Sequence, residues 1–177
     1  MEELVKRAKN GDKEAFSTLI LQLQDDLYRI AQIRLQNTED IYDAIQETIV
    51  IALKSIKNLK NNQFFKTWIT KILINQSNEI YRKKNKHKIV PIESIEISQK
   101  SETYNIENID SIINFEFICN NLKYEDRLII IMYYMEKFTD KEIGEILKIK
   151  EKTVTTKRTR AKEKIKKRFE KGGKNIE

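Results

Sequence analysis

Residues that cross-link or interrupt a chain are scarce in this sequence of 177 amino acids, which has one cysteine, one histidine, one proline and four glycines. The single cysteine, Cys119, cannot form an internal disulfide, and its isolation fits a reducing compartment such as the cytoplasm. One cysteine and one histidine are too few for a zinc site, and the sequence predicts no metal and no other cofactor. So few glycines and prolines also disfavour an all-β fold with many tight turns.

Long hydrophobic runs are missing as well. The longest, Leu128–Met135, is far shorter than the roughly 20 residues that span a bilayer. The N-terminus has no apolar stretch that resembles a signal peptide, so we do not expect a membrane protein. Hydrophobic residues nevertheless make up 40% of the chain, which is too many for a disordered chain. The length suits one domain or two small ones.

Positive charge is concentrated in two segments of the chain, whose formal net charge is +7. Residues 148–174 hold 13 Lys/Arg against 3 Asp/Glu, and residues 66–88 hold 7 against 1. Residues 89–116, between them, carry 6 acids and 1 lysine. Two basic patches favour two sites for a polyanion such as a nucleic acid, although solvated lysine faces would have the same composition.

Apolar residues recur at helical spacing in the N-terminal half, which predicts helices over residues 12–36, 41–56 and 64–84. Asp12 and Thr38 are the predicted N-caps of the first two helices. Phe65 and Trp68 share the apolar stripe of the third helix and are predicted to be core residues. Because three amphipathic helices can bury one another's apolar faces, we expect a helical bundle over residues 1–86.

The helical periodicity stops after the third segment. Residues 87–110 contain the single proline, several acids and scattered isoleucines, and we predict a flexible linker there. Apolar periodicity returns over residues 111–177, which predicts a second helical domain. The expected fold is therefore all-α, with two small helical domains joined by a flexible linker.

The C-terminal segment has the pattern of a helix-turn-helix motif. Thr139 and Glu142 are spaced as a capping box, which predicts the start of a short helix. A break at residues 148–150 separates this helix from a long, strongly basic one whose predicted inner face includes Val154 and Ala161. Its outer face combines threonines with lysine and arginine, which suit base edges and phosphates in a major groove.

These motifs together resemble the extracytoplasmic-function (ECF) group of bacterial RNA polymerase sigma factors, the smallest relatives of sigma-70. Residues 43–49 (DAIQETI) look like the second-region helix of that family. Residues 65–75 (FKTWITKILIN) are similar to its aromatic-x-x-Trp segment, and residues 140–147 with 152–154 resemble its fourth-region helix-turn-helix. The motifs follow the family order, so the resemblance implies a region 2-like bundle followed by a region 4-like helix-turn-helix.

The resemblance also implies partners and a role for three surfaces. The first would bind the clamp helices of core RNA polymerase, the second would hold the melted −10 promoter element, and the third would read the −35 element as duplex. A cognate anti-sigma factor, often membrane-bound, is a further implied partner. The polymerase-binding residues would be Asp43, Gln46, Glu47 and Val50. The −10 residues would be Asn62, Phe64, Thr67, Lys71, Asn75, Arg82 and Lys83. Of these, Thr67, Lys71, Asn75 and Arg82 are predicted to lie on one exposed face of the third helix. The −35 residues would be Lys152, Thr155, Thr156, Lys157, Arg158, Thr159 and Arg160.

Three residues depart from the family pattern, and one of them is Lys150, which replaces the usual serine cap of the recognition helix. Lys148 stands in the turn where the family usually has glycine, a residue that readily adopts positive φ. Arg158 falls where the family usually buries isoleucine or leucine, and its aliphatic stem is expected to cover the edge of the core.

Two other classes of function stay open on the sequence. An ordinary helix-turn-helix regulator, acting as a stand-alone dimer, would bind a palindrome without polymerase and would use residues 1–84 to sense or dimerise. A nucleic-acid enzyme would need a positioned nucleophile or metal-binding carboxylates, and the sequence has no such cluster, so we predict that the chain is not an enzyme. A sigma factor differs from both in that one domain carries a docking face and a single-strand-binding face.

Overall fold

The structure is a computed structural model that describes residues 1–85 and 122–172, with side chains described through residue 168. The predicted linker and the first predicted helix of the second domain lie outside the described residues. Within those ranges the chain is helical and has no strand, as the sequence predicts. The α-helices are α1 (Glu2–Lys9), α2 (Lys13–Gln32), α3 (Thr38–Ser55), α4 (Phe65–Asn85), α5 (Tyr124–Tyr134), α6 (Asp140–Leu147) and α7 (Glu151–Gly172).

Helices α1 to α4 form the N-terminal bundle around apolar side chains at the predicted helical spacing. Leu19, Leu23 and Leu27 of α2 are buried against α3 and α4, whose Ala44 and Leu73 are fully buried. The periodicity did not predict α1, because its eight residues bury only Val5 and Ala8. A stripe of two residues is too short to recognise as a helical repeat.

The helix starts show which capping predictions were correct. Asp12 is the N-cap of α2, and its Oδ1 accepts a hydrogen bond from the Ala15 N–H at 2.9 Å. The cap of α3 is Asn37 rather than Thr38, because Asn37 has the extended backbone and its Oδ1 accepts from the Glu39 N–H at 2.8 Å. Thr38 is already the first helical residue, so that prediction was wrong by one position.

The C-terminal unit is a helix-turn-helix in which α6 and α7 pack on α5. The predicted capping box is present: the Thr139 N–H donates to Glu142 Oε2 at 2.9 Å, and the Glu142 N–H donates to Thr139 Oγ1 at 3.2 Å. Lys148 adopts the left-handed conformation, with φ 59° and ψ 40°, so a lysine holds the backbone that glycine would hold more easily. Val154 and Ala161 of α7 are fully buried, as predicted.

The two helical units also pack against each other. Buried residues of α1 to α4 and of α5 to α7 belong to one contiguous apolar cluster, in which α4 meets α6 and α2 meets α5. None of the helices in the described ranges combines the length and apolar character that a bilayer span requires.

The turn between α6 and α7 leaves no room for a side chain at Gly144. A Cβ built on Gly144 would lie 2.8 Å from the Ile149 carbonyl oxygen, which is closer than real contacts allow. We expect Gly144→Ala to lower the free energy of unfolding by about 1–3 kcal/mol, although alanine is otherwise the better helix former. Urea denaturation would measure this loss. Lys141→Ala, at an exposed position of the same helix, is the control and should be nearly neutral. Equal stability of both variants would contradict the steric argument.

Candidate docking and DNA-binding surfaces

The outer side of α3 carries a mixed acidic and apolar surface, which we call the docking face. Asp43, Gln46, Glu47 and Val50 are all exposed and follow one another at the i, i+3, i+4, i+7 spacing that puts them on one side of a helix. The apolar repeat also predicts that Leu53 is buried, but its side chain is 51% exposed and extends this face by one turn. The docking face thus contains both carboxylates and exposed aliphatic side chains.

A second surface lies at the start of α4. Phe64, the last residue of the 3₁₀ turn Asn62–Phe64, is 44% exposed beside a cavity of about 220 Å³. Phe65 is fully buried, as predicted, whereas Trp68 is half-buried and lines the cavity. The full lining is Leu59, Lys60, Asn61, Phe64, Thr67, Trp68, Lys71 and Glu145. Aromatic side chains and lysines therefore share one concave surface, which we call the strand face.

Not every residue predicted for the strand face is exposed. Asn75, Arg82 and Lys83 are exposed, and Lys71 is half-exposed. The prediction that Thr67 is exposed was wrong: it is 6% exposed, because α6 covers it and its Oγ1 donates a hydrogen bond to Glu142 Oε1 at 2.9 Å. The burial of Thr67 therefore results from a tertiary contact, the packing of α6 on α4.

Asn62 and the loop before α4 are held by the first helix of the chain. Lys9 Nζ donates to the Leu59 carbonyl oxygen at 2.7 Å and to Asn62 Oδ1 at 3.2 Å. Asn62 is half-buried as a result. Sequence reasoning missed Lys9, and its separation of about fifty residues from its partners left no local signal.

The outward side of α7 has the composition predicted for DNA recognition. Lys152, Thr155, Thr156, Thr159 and Arg160 are all exposed. The hydroxyl of Thr156 donates to the Lys152 carbonyl oxygen at 2.8 Å within the helix, so its oxygen can still accept a hydrogen bond. We call this surface the reading face.

Arg158 and Lys157 are engaged inside the C-terminal unit. Arg158 donates to Asp140 from Nε at 2.8 Å and from Nη2 at 2.7 Å, and its guanidinium lies 3.9 Å from the centre of the Tyr133 ring. Its side chain is only 18% exposed. Lys157 Nζ pairs with Glu125 Oε2 at 2.8 Å. Arg158 thus fills the family's apolar position with an ion pair and a stacked ring, and its contact with DNA stays a prediction.

Asp140 is the carboxylate on which this arrangement depends. The hydrogen bonds from Arg158 hold its pKa below the usual range, against the opposing effect of burial. Thr155 Oγ1 adds a hydrogen bond to Asp140 Oδ2 at 2.8 Å. One carboxylate therefore ties the start of α6 to two positions of α7.

The comparisons with known proteins decide the family. Residues 19–87 match the family Sigma-70 region 2, and residues 118–165 match Sigma-70, region 4. RNA polymerase sigma factor SigV of Bacillus subtilis (strain 168) is 30% identical over 155 residues, covering 88% of this chain and 91% of SigV. The chain belongs to the ECF group of sigma-70 factors. ECF sigma factor SigW of the same organism is 27% identical over 177 residues, covering 93% of this chain and 94% of SigW.

Solved structures share this fold. CnrH, solved in complex with the cytosolic domain of CnrY, superposes with a TM-score of 0.69 at 18% identity and covers 96% of each chain. Sigma factor RpoE of Bartonella quintana, solved with the anti-sigma factor NepR, has a TM-score of 0.66 at 20% identity, covering 86% of this chain and 94% of RpoE. The predicted all-α sigma-factor fold is therefore confirmed.

Family membership also settles the broad function. The chain is a sigma factor, which directs core RNA polymerase to promoters, and not a stand-alone dimeric regulator. Sigma factors are non-catalytic initiation factors. Among the described residues, no three His, Cys, Asp or Glu side chains lie close enough to hold a metal ion.

The Asp140 pairing has a measurable pH dependence. Because the folded pKa of Asp140 is lowered, its stabilisation is present above the unfolded pKa of about 3.9 and is lost as the pH falls through the lower folded value. We expect Asp140→Asn to cost about 1–3 kcal/mol at pH 7, and the difference from the wild type to shrink below about pH 4. Denaturation at several pH values would measure it. The control is Asp25→Asn at an exposed position, which should be nearly neutral at pH 7. A constant Asp140→Asn deficit down to pH 2 would contradict this account.

Proposed function

We propose that this sigma factor divides its work among the three surfaces: the docking face of α3 binds the polymerase core, the strand face holds the melted −10 element, and the reading face of α7 contacts the −35 duplex. The observation that carries the proposal is that region 2 and region 4 of the family fall on the parts of the chain that bear these faces. We assign residues 1–86 to polymerase and −10 binding, 87–110 to the linker and 111–177 to −35 binding.

The composition of the docking face supports a protein partner. Exposed Val50 and Leu53 can form a small apolar centre, and Asp43 and Glu47 beside them can pair with basic groups on the polymerase. Like charges four residues apart on a helix cost a few tenths of a kcal/mol, and a cationic partner removes that cost. Clamp helices with an apolar stripe and basic residues would fit this surface.

The residues of the strand face are suited to promoter opening without ATP. Melting a duplex costs a few kcal/mol for each unstacked base, so a protein that opens DNA must bind the exposed bases. Phe64 and Trp68 provide rings for stacking beside the cavity, and Lys71 provides a cation for the phosphate. Asn75, Arg82 and Lys83 extend the basic surface along α4.

The reading face supports recognition of paired DNA. Thr156 and Arg160 stand one helical turn apart and would approach base edges, while Lys152 would contact a phosphate. Phosphate contacts of this kind make the affinity fall steeply with added salt. The chain itself carries out no chemical step in this scheme.

We also propose a cognate anti-sigma factor as a regulatory partner. CnrH and RpoE were solved in complexes with CnrY and with the anti-sigma factor NepR, which supports this extension to the present chain. Such a partner is often membrane-bound. Since it would act where core polymerase works, we place the sigma factor in the cytoplasm.

Two double variants separate docking from promoter reading. Asp43→Ala/Glu47→Ala should weaken core polymerase binding about tenfold or more, because it removes both carboxylates of the docking face. Thr156→Ala/Arg160→Ala should keep core affinity but reduce transcription from −35-dependent promoters at least tenfold. Fluorescence titration with core polymerase and sequencing of transcripts from a promoter-fragment library would measure the two effects. The control, Glu2→Ala/Glu3→Ala, removes two exposed carboxylates from α1. Normal core affinity of Asp43→Ala/Glu47→Ala would refute the assignment of the docking face to polymerase binding.

Phe64 tests the strand face separately. Loss of one stacked base costs about 1–3 kcal/mol, so Phe64→Ala should lower the population of open promoter complex about 5- to 150-fold while core affinity is unchanged. A 2-aminopurine base in the −10 element would report opening by fluorescence. Leu21→Ala, which removes an apolar side chain that is 65% exposed on α2, is the matched control. If both variants open promoters equally well, Phe64 does not hold a base.

A further inference from the structure

The exposed threonines of the reading face donate their hydroxyl hydrogens to acceptors within the protein. Thr156 Oγ1 donates to the Lys152 carbonyl oxygen at 2.8 Å, and Thr159 Oγ1 donates to the Thr155 carbonyl oxygen at 2.9 Å. Because a carbonyl oxygen carries no hydrogen, the hydroxyl must be the donor in both bonds. Thr156 and Thr159 therefore present only lone pairs to a molecule that approaches from solvent.

The hydroxyl of Thr155 is held in the same state by the neighbouring helix. Its Oγ1 donates to Asp140 Oδ2 at 2.8 Å, at the start of α6, and lies 3.2 Å from the Glu151 carbonyl oxygen. The hydrogen bonds from Arg158 hold the pKa of Asp140 below its usual range, so this carboxylate is ionised at neutral pH and can only accept. Thr155 therefore has no hydrogen left for a base edge.

The polar groups of the reading face form two parallel rows along α7. Lys152, Thr156 and Arg160 follow one another at intervals of four residues, and Thr155 and Thr159 form the row beside them. Lysine and arginine side chains can only donate hydrogen bonds. The first row is therefore donor, acceptor, donor, and the second row contains acceptors alone.

A fixed pattern of this kind distinguishes base edges in the major groove. The amino groups of adenine and cytosine donate there, whereas the keto oxygens of guanine and thymine accept. To bond a keto oxygen, a threonine hydroxyl would have to turn outward and give up its bond inside the protein. Since one neutral hydrogen bond changes an equilibrium constant about 2- to 12-fold, each threonine should favour an amino group by a factor of that order.

We propose that Thr155, Thr156 and Thr159 determine −35 specificity as hydrogen-bond acceptors, which select the amino groups of adenine or cytosine in the major groove. The inference rests on the role proposed above for the reading face and adds the chemical groups of the DNA that this face recognises. A threonine can also contact DNA through its methyl group, by packing on the methyl group of thymine. The two kinds of contact differ in whether the hydroxyl is needed.

Two isosteric variants test the proposal in the complex of the full chain with core polymerase. Thr156→Val and Thr159→Val each remove the hydroxyl and keep the shape of the side chain. Selection from a library with a randomised −35 element would first give the sequence that the parent complex prefers. Fluorescence anisotropy would then measure the affinity of each complex for promoter DNA that carries this sequence.

Base analogues in that DNA identify the group that each hydroxyl contacts. Purine in place of adenine, or 2-pyrimidinone in place of cytosine, lacks the amino group. A second set weakens the acceptors of the groove instead: 7-deazapurines lack N7, and 4-thiothymine and 6-thioguanine carry sulfur in place of the keto oxygen. Each analogue is introduced at one base pair at a time. Its effect on base pairing is the same for the parent and for a variant, so it cancels when the two proteins are compared.

We expect each valine variant to bind the preferred sequence about 2- to 12-fold more weakly than the parent. This difference should vanish at one amino-deleted base pair and persist at every acceptor-weakened one. The matched control is Thr18→Val on α2, which removes an exposed hydroxyl that donates to the Glu14 carbonyl oxygen at 2.9 Å in the same helical geometry. Thr18→Val should bind every DNA as the parent does.

The opposite results are equally specific. If the valine difference vanishes at an acceptor-weakened pair, the hydroxyl donates in the complex and the inference is wrong. If neither valine variant binds more weakly, or if the difference persists on every DNA, the hydroxyls do not accept from a base, which overturns the inference and leaves the proposed function intact. A parent complex that selects no −35 sequence at all would instead refute the role of the reading face, and the inference with it.

Discussion

A nearly buried carboxylate, Glu136, connects the two halves of this protein through Arg29 and Lys66. Burial raises the pKa of the Glu136 carboxyl, while the hydrogen bond from Arg29 and the charge of Lys66 oppose that rise. Buried ion networks add little net stability, because desolvation of the charges offsets their attraction, but removal of one partner leaves a buried charge uncompensated. The network therefore specifies where the units meet more than how tightly they hold.

A second carboxylate has the corresponding role within the C-terminal unit. Asp140 receives two hydrogen bonds from Arg158, and the guanidinium stacks on Tyr133, so a charged residue occupies the position where the family resemblance implies an aliphatic one. Arg158, which the sequence predicts as a DNA contact, thus links α7 to the start of α6 in this structure. The residues around it that we propose as base contacts, such as Thr156 and Arg160, are exposed.

Local features of the fold were predictable from the sequence, and contacts between distant segments were not. The capping box of Thr139 and Glu142 follows from residues three positions apart, and the buried faces of the long helices follow from apolar spacing. The burial of Thr67 could not be predicted, because it depends on a helix about seventy-five residues away along the chain. The exposure of Leu53 is a further miss, because periodicity predicts a helix face but not whether another helix covers its end. Sequence order and motif spacing were sufficient for the family, whereas the relative accessibility of the three proposed surfaces required the tertiary structure.

The short first helix has a practical consequence for work with fragments. Lys9 anchors the loop that precedes Phe64, and Val5 is fully buried in the bundle core. A fragment cut where the region 2 match begins, at residue 19, would lose both residues together with the first turns of α2. The aromatic side chains beside the cavity would then lack the support that keeps their loop in place. The region 2 match is therefore shorter than the unit that folds, and fragments intended for DNA-binding work should begin at Met1.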